Sequence, residues 1–393
     1  MKKTRQTDVL IIGAGASGLM CALEALKRGR QTVILEHNKI AGAKILVSGG
    51  GKCNFTNKNI EPENYISSNP HFVKSALSRF SNHDFISIIE KNKIKYEQRN
   101  HGQLFLKKSV DEILNLLLKE LNKYNPQFFF DTKIKSVKKI KDLFITETDF
   151  GLFKSKSLVV SSGGLAAPQL GAGSIGHKIA SAFEIKVIKP LPGLVPLAFC
   201  AEDKKKFEHL SGISIKSVLK TDKISFKENL LFTHKGLSGP AALQMSLYLK
   251  PGKSVFIDFL PDKKITKEII CQKKSKKLVK NFISEFLPKN LSAAIIEKKL
   301  SDKPLKSLNE NEISLISKNI HDFEINFSGD LGFKKAETTI GGVDCNEISS
   351  KTMESLKIKG LYFTGEVLDV AGWLGGYNLQ WAWSSGWCAG QFA

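Results

Sequence analysis

"TDVLIIGAGASGL", Thr7 to Leu19, sets an apolar β-branched run directly against three spaced glycines. Asp8 to Ile12 reads as a short strand, because residues branched at Cβ favour extended backbone. Gly13-x-Gly15-x-x-Gly18 then opens a helical stretch to about Arg28, and a second strand, "TVILE", ends in Glu36, eighteen residues beyond Gly18. This β-α-β unit predicts a dinucleotide clamp. Gly13 permits the tight turn, Gly15 lets backbone approach a pyrophosphate, and Gly18 lets the helix pack on the strand. The unpaired N–H groups of the helix start, at Ala16 and Ser17, face the phosphates. Glu36 accepts from ribose hydroxyls, which selects an adenosine without a 2′-phosphate. Three glycines alone would be weak evidence; the flanking strands and the distant acid make the pattern specific.

A second match, Gly171-Ala-Gly173-Ser-Ile-Gly176, follows "AAPQL", which is no strand. It therefore lacks the feature that should feed it and reads as a decoy for this role. A nicotinamide, if used, visits without a fingerprint of its own.

Downstream of the clamp stands "SGGGKCNFTN", Ser48 to Asn57. It is not a Walker A loop: the required first glycine is Leu46, and Cys53 stands where a hydroxyl would hold magnesium. Three bare residues beside a cation and a thiol leave three readings open: a nucleotide phosphate clamp, a reactive cysteine, or a turn without a role.

A chain of 393 residues exceeds one ordinary core and predicts two or three domains. Hydrophobic content of 42% with 25% charged residues is that of a globular protein. The cysteines Cys21, Cys53, Cys200, Cys271, Cys345 and Cys388 are scattered without C-x-x-C spacing. That argues against a metal site and a disulfide framework, and suits a reducing cytoplasm. The basic, then apolar start mimics a signal peptide, but Gly13, Gly15, Gly18 and Glu24 interrupt the run, and no small-residue cleavage site follows cleanly. No stretch is apolar for long enough to span a bilayer. The net charge of +21 fits an anionic partner such as nucleic acid, yet lysines outnumber arginines 54 to 5. That skew equally fits a genome-wide codon preference, and both readings stand.

The far end decides the cofactor. "GLYFTGEVLDVAGWLGGYNLQWAWSSGWCAGQ" reads as a strand, Leu361 to Thr364, then Gly365-Glu366, a glycine-rich turn and a final helix from about Gly376. It resembles the closing segment of flavoproteins of the glutathione-reductase structural class. There the acid reaches the ribityl chain or pyrophosphate, and the last helix points its N-terminus at the flavin pyrimidine. Reduced flavin carries negative charge at that edge, which a helix N-terminus stabilises. All four tryptophans, Trp373, Trp381, Trp383 and Trp387, fall here and are expected to pack in the core.

Five separated motifs, "SGGGKCNFTN", "SSGGLAAPQLGAGSIGH", "LLFTHKGLSGPAALQ", "TTIGGVD" and the closing segment, make the chain resemble the BaiN-like NAD(P)/FAD-dependent oxidoreductases, also called aminoacetone-oxidase-family FAD-binding proteins. The resemblance spans nearly the whole chain. "NPHFVKSAL" and "GQLF" look like the enterobacterial branch, linked to dihydrouridine formation in 23S ribosomal RNA; another branch is linked to reduction of bile-acid intermediates. Lys52 departs from the arginine common in the family, keeping the cation and losing a planar fork.

The resemblance implies an α/β fold: a Rossmann-like, three-layer FAD/NAD(P)-binding domain, 1–190 with 336–393, interrupted by an insert, 191–335. The insert's 191–260 alternates short apolar runs with turns, suggesting a small β-barrel, and 261–335 is lysine-rich with helical spacing. FAD is the expected cofactor and NAD(P)H the transient reductant. The expected cofactor set is Gly13, Gly15, Ala16, Ser17, Gly18, Glu36, Lys44, Ser48, Gly50, Gly51, Lys52, Cys53, Asn54, Gly163, Gly365, Glu366, Gly376, Tyr377 and Asn378.

Related disulfide reductases bring a cysteine pair onto the flavin; here Cys53 is single, so a dithiol relay is absent. Cys53 is either a proton donor or a buried structural thiol, and His234 in "FTHKGLSGP" is a second donor candidate. The activities linked to the family share reduction of a carbonyl-conjugated C=C bond. The favoured substrate is a uridine of 23S ribosomal RNA; the alternatives are a small unsaturated metabolite and a flavin-binding protein without turnover. Between Pro261 and Ile320 there are fourteen lysines against seven acids. "KKSKKLVK", Lys273 to Lys280, is expected to present ammonium groups on a helical surface that either neutralises phosphates or is only a solvated face.

Overall fold

A computed structural model describes residues 4–249 and 253–393. The chain divides into two compact units, Met1–Gly193 with Ala336–Ala393, and Leu194–Lys335.

The first unit is built on the opening motif. Strand β1, Thr4–Ile12, lies inside a seven-stranded sheet. On one side it pairs in parallel with β2, Thr32–Leu35, and beyond that with Gln127–Phe129. On the other side it pairs in parallel with Leu152–Val160 along nearly all its length. That long strand serves two further neighbours. Its first half takes Leu143–Thr148 antiparallel, and its last three residues take Leu361–Phe363 parallel. Ile12 lies level with Leu35 and Val160, and Val160 level with Phe363, so four strands end together. The chain leaves β1 toward one side and returns on the other, the arrangement that opens a ligand crevice beyond the strand ends. Val9, Leu10 and Ile11 have no exposed surface. A strand covered on both faces has no need to alternate, which explains the unbroken apolar run.

Helix α1, Ala16–Lys27, packs on the C-terminal helix Tyr377–Gly390. A Cβ on Gly386 would stand 2.3 Å from the Ser17 carbonyl, and one on Gly390 2.7 Å from that of Cys21, so these glycines permit backbone-to-backbone contact. Trp381 and Trp383 are buried, with Trp383 stacked on Phe85 at 4.6 Å. Among the described residues no helix is long and apolar enough to cross a membrane.

The second unit carries an antiparallel sheet of seven strands in the order Phe323–Ile325, Val255–Asp258, Ser214–Lys220, Ser225–Phe232, Gly236–Ser238, Leu197–Phe199, Phe327–Asp330. Its two edge strands are consecutive in the chain, separated by Asn326, so the sheet must curl until its edges approach. Phe207, Phe232, Phe259 and Phe323 fill its interior. Two expectations need correction. The strands do not end near residue 260, because both edges come from 323–330, beyond the helices. Runs of three and four residues there are too short to show a period of their own. Nor is Lys273 to Lys280 a helical surface: one helix ends at Cys271 and the next begins at Val279. "QKKSKK" offers no apolar face to bury, and a short helix without tertiary burial does not hold.

Candidate functional site

The sequence-predicted clamp lies where β1 ends. Gly13 takes φ +107, open to glycine at little cost, and a Cβ there would stand 2.4 Å from the Ser161 carbonyl. Gly18 is held as closely, its Cβ direction meeting the Gly13 carbonyl at 2.0 Å. Gly15 differs: nothing lies within 4 Å of its Cβ direction, and it caps the N-terminus of α1. Two glycines therefore serve packing, and the third leaves space before unpaired N–H groups.

Glu36 directly follows β2, with 6% of its surface exposed. Its Oε2 accepts from the Ala14 N–H at 2.7 Å and its Oε1 from the Asn38 N–H at 2.8 Å. Burial raises its pKa, but hydrogen bonds from His37, Asn38 and Ala14 outweigh that and hold the carboxyl below its ordinary value. The hydrogen bond to Glu36 in turn raises His37. A carboxylate has about four acceptor sites. Glu36 thus clamps the glycine turn and retains capacity for a hydroxyl.

Residues distant in sequence meet beside this clamp. The Gly365 Cβ direction points at Ser17 Oγ, 2.6 Å away. Lys44 and Glu366 form an ion pair at 2.7 Å. Thr339 Oγ1 donates to Glu366 Oε1 at 2.8 Å and accepts from the N–H groups of Leu165 and Ala166. Thr339 is not among the expected site residues. Its motif, "TTIGGVD", is visible in the sequence, but its partners at 165, 166 and 366 are not. Gly163, just upstream of them, has nothing within 4 Å of its Cβ direction.

The turn at Gly49–Asn54 faces the start of the C-terminal helix. With its amide oriented to satisfy both ends, Asn54 donates to the Thr56 and Leu104 carbonyls and accepts from the Gly376 N–H at 3.2 Å. Gly376 caps that helix at φ +97, a left-handed conformation costly for other residues. Gly50 and Gly51 have no atom within 4 Å of their Cβ directions, and Lys52 is exposed. Ser48 Oγ donates to the Ile45 carbonyl.

Two expected cofactor residues spend their side chains on the protein itself. Tyr377 is buried and its hydroxyl donates to the Asn59 carbonyl at 3.2 Å. Asn378 closes the glycine-rich turn, accepting from the Gly372 N–H and donating to the Gly372 carbonyl, both at 2.9 Å. What they offer outward is backbone N–H at a helix start.

The catalytic candidates part company. Cys53 has no exposed surface, and burial pushes its thiol up to about 11. A group so enclosed cannot meet a substrate atom, which opposes its candidacy as proton donor. His234 lies in the other unit, exposed in the turn between Ser225–Phe232 and Gly236–Ser238. The second glycine motif also finds its place. Gly171 follows a short 3₁₀ turn, Pro168–Leu170, and its Cβ direction meets His37 Nε2 at 2.3 Å, so this loop folds onto the end of β2.

The fit to a flavin dinucleotide rests on space and donors together. Open Cβ directions at Gly15, Gly50, Gly51 and Gly163 line backbone beside two helix N-termini and a buried carboxylate. A family model described as HI0933-like protein Rossmann domain matches residues 7–392. The chain belongs to this family of FAD-dependent oxidoreductases. It is 42% identical over 98% of its length, and 97% of the relative's, to a ribosomal RNA dihydrouridine synthase of Escherichia coli. It is 26% identical over 98% of both chains to a 3-dehydro-bile acid delta(4,6)-reductase of Clostridium scindens. Among solved structures, the open conformation of a flavocytochrome c3 fumarate reductase matches with a TM-score of 0.50 at 14% identity, covering 98% of this chain and 78% of that one. That likeness concerns the α/β, FAD-binding Rossmann-like fold alone.

Proposed function

We propose that this protein reduces the C5=C6 bond of a uridine in ribosomal RNA, forming dihydrouridine. The observation that carries the reading is the 42% identity, over nearly the whole of both chains, to a ribosomal RNA dihydrouridine synthase. FAD, when bound and reduced, supplies the hydride that the β carbon of the enone-like uracil accepts. The chain's own residues do the rest. The N-terminus of α1 and Gly15 hold the pyrophosphate, and Glu36 receives the ribose. Lys44 and Glu366 would meet the ribityl chain. The N–H groups at the start of Tyr377–Gly390 stabilise negative charge on the reduced pyrimidine edge. An acid must protonate the α carbon, and His234, exposed in its turn, is the candidate for that role.

This reading takes the first unit as a glutathione-reductase-like, three-layer FAD domain and Leu194–Lys335 as a barrel-plus-helices insert. It takes NAD(P)H as reductant, the 23S molecule as the RNA and the cytoplasm as the compartment. The test is a dihydrouridine map of 23S ribosomal RNA from a strain lacking the gene, with and without the gene restored. The modified position should vanish and return. An unchanged map would instead favour a small unsaturated metabolite, a reading supported by the 26% identity to the bile-acid reductase.

A further inference from the structure

The lysine-rich segment of the second unit is less available than its composition implies. Lys277 pairs with Glu285 at 2.6 Å and Lys280 with Asp302 at 2.7 Å, while Lys303 pairs with Glu312. Lys273 donates to the Leu308 carbonyl. Only part of that charge faces outward for a partner.

A second group of cations lies in the first unit, on a small antiparallel sheet of Asn54–Asn57, Gln103–Leu106 and Tyr96–Gln98. Asn54 stands opposite Phe105, and Phe105 opposite Glu97, so the three share one face. The Lys107 N–H donates to the Lys95 carbonyl, which continues the ladder by one step. Alternation then places Lys95, Arg99 and Lys107 on the same face as Asn54, Gln103 and Phe105. This face reaches the candidate site directly. The Cβ direction of Gly376 meets the Asn54 side-chain amide at 2.9 Å, that of Gly375 meets the Gln103 amide at 2.9 Å, and that of Gly49 meets Phe105 at 2.8 Å.

The cations crowd a single carboxylate. Arg99 takes Glu97 Oε1 through both Nε, at 2.8 Å, and an Nη nitrogen, at 2.7 Å, with its guanidinium 4.1 Å from the centre of the Phe105 ring. Its hydrogen bond, with weaker attraction from Lys52 and Lys107, holds the Glu97 carboxyl below its ordinary value. Lys52, Lys95 and Lys107 are exposed, and among the described residues none forms an ion pair. One acid therefore faces three cations, with Lys95 further along the same face, and the excess charge begins beside Gly50 and Gly51.

We propose that this face, with Lys95 and Lys107 at its outer end and Lys52 beside the site, binds the phosphates flanking the target nucleotide of a single-stranded RNA segment. The proposal rests on the RNA reading above. A base that leaves its stack to react keeps its own backbone within a few ångströms, so cations beside the site hold the strand where the base must enter. Lysines serve here as point charges, without sequence preference.

The experiment uses full-length, flavin-loaded protein and unmodified large-subunit ribosomal RNA from a strain lacking the gene. Lys95→Gln/Lys107→Gln is compared with Lys274→Gln/Lys276→Gln in the second unit, an equal change of charge. Flavin content, thermal midpoint and flavin reduction by NAD(P)H without RNA should match wild type in both. The first variant should bind RNA about tenfold more weakly, with the slope of log affinity against log salt shallower by about 1.4, roughly 0.7 for each phosphate no longer neutralised. Lys95→Arg/Lys107→Arg, which keeps the charge, should restore both. If wild type forms dihydrouridine and Lys95→Gln/Lys107→Gln keeps wild-type affinity and slope, the surface is overturned while the function stands. If wild type leaves this RNA unmodified and unbound, the function falls and the surface with it.

Discussion

Two stretches of this chain carry the same spacing of glycines, and only one is fed by a β-strand. Gly13-x-Gly15-x-x-Gly18 follows a strand buried on both faces, and its outer glycines meet backbone carbonyls. Gly171-x-Gly173-x-x-Gly176 follows a 3₁₀ turn, and its outer glycines meet side chains: His37 and Asn38 at one end, Ser162 and Val367 at the other. A carbonyl in a sheet cannot retreat, whereas a side chain can change rotamer. The comparison teaches that the strand feeding such a motif makes it rigid enough to aim N–H groups at a phosphate. The second loop instead folds against His37 and Asn38, beside Glu36.

The largest effect should come from Gly18→Val. With a Cβ 2.0 Å from the Gly13 carbonyl, β1 and α1 must separate, so soluble protein should lack flavin and lose several kcal/mol, about 3 or more, of stability. Gly171→Ala, aimed at the movable His37 ring, should cost only about 1–2 kcal/mol, mostly for φ +89. Flavin absorbance and thermal unfolding read both, and equal damage would break the distinction.

The middle glycines sharpen it. Gly15 and Gly173 both have open Cβ directions, so alanine at either should leave the melting temperature nearly unchanged. FAD affinity should fall on the order of 10–100-fold for Gly15→Ala alone, since backbone could no longer approach the pyrophosphate. Titration of FAD against the stripped proteins decides it; equal losses would make the second motif a phosphate site too.

Smaller effects test the donor candidates. Cys53→Ala should keep its flavin and most turnover while losing about 1 kcal/mol from the buried packing. His234→Ala should keep its flavin but slow substrate-dependent reoxidation about 10²-fold or more if it is the acid. Full activity in His234→Ala would remove it from that role.

The smallest effect is a pH signature at the clamp. Glu36 is held below its ordinary pKa, so its contribution is present above about pH 4.3, the unfolded carboxyl value, and fades as pH falls through the folded value. His37 is raised, so its contribution is present below about pH 6.5 and fades as pH rises through the folded value. Glu36→Gln should flatten the acid limb of the stability profile and weaken the high-pH one, since His37 loses its partner. An acid limb of unchanged steepness in that variant would show that the carboxylate is not the clamp.

How much is legible in the sequence follows from where the partners lie. The clamp is readable because strand, glycines and acid fall within Asp8 to Glu36, and each has a local conformational signature. Thr339 is not, because its meaning depends on Leu165, Ala166 and Glu366, brought to it by separate strands. Asn378 misleads in the opposite direction: a polar residue at a helix start looks like a ligand contact, yet its amide closes the Gly372 turn. "KKSKKLVK" shows the same limit for charge, since composition counts ammonium groups but not the acids that face them.

By itself, then, the order of residues determined the β-α-β unit, the strand, turn and helix of the closing segment, and the family, since all are carried by short-range geometry and contiguous motifs. Only tertiary structure decided that Cys53 is sealed, that Glu36, expected to accept from ribose hydroxyls, also braces the glycine turn, and that exposed cations stand beside the site on and next to a three-stranded sheet of the first unit. Burial, pairing and shared faces are properties of distant segments meeting, and no stretch of sequence contains both halves of such a meeting.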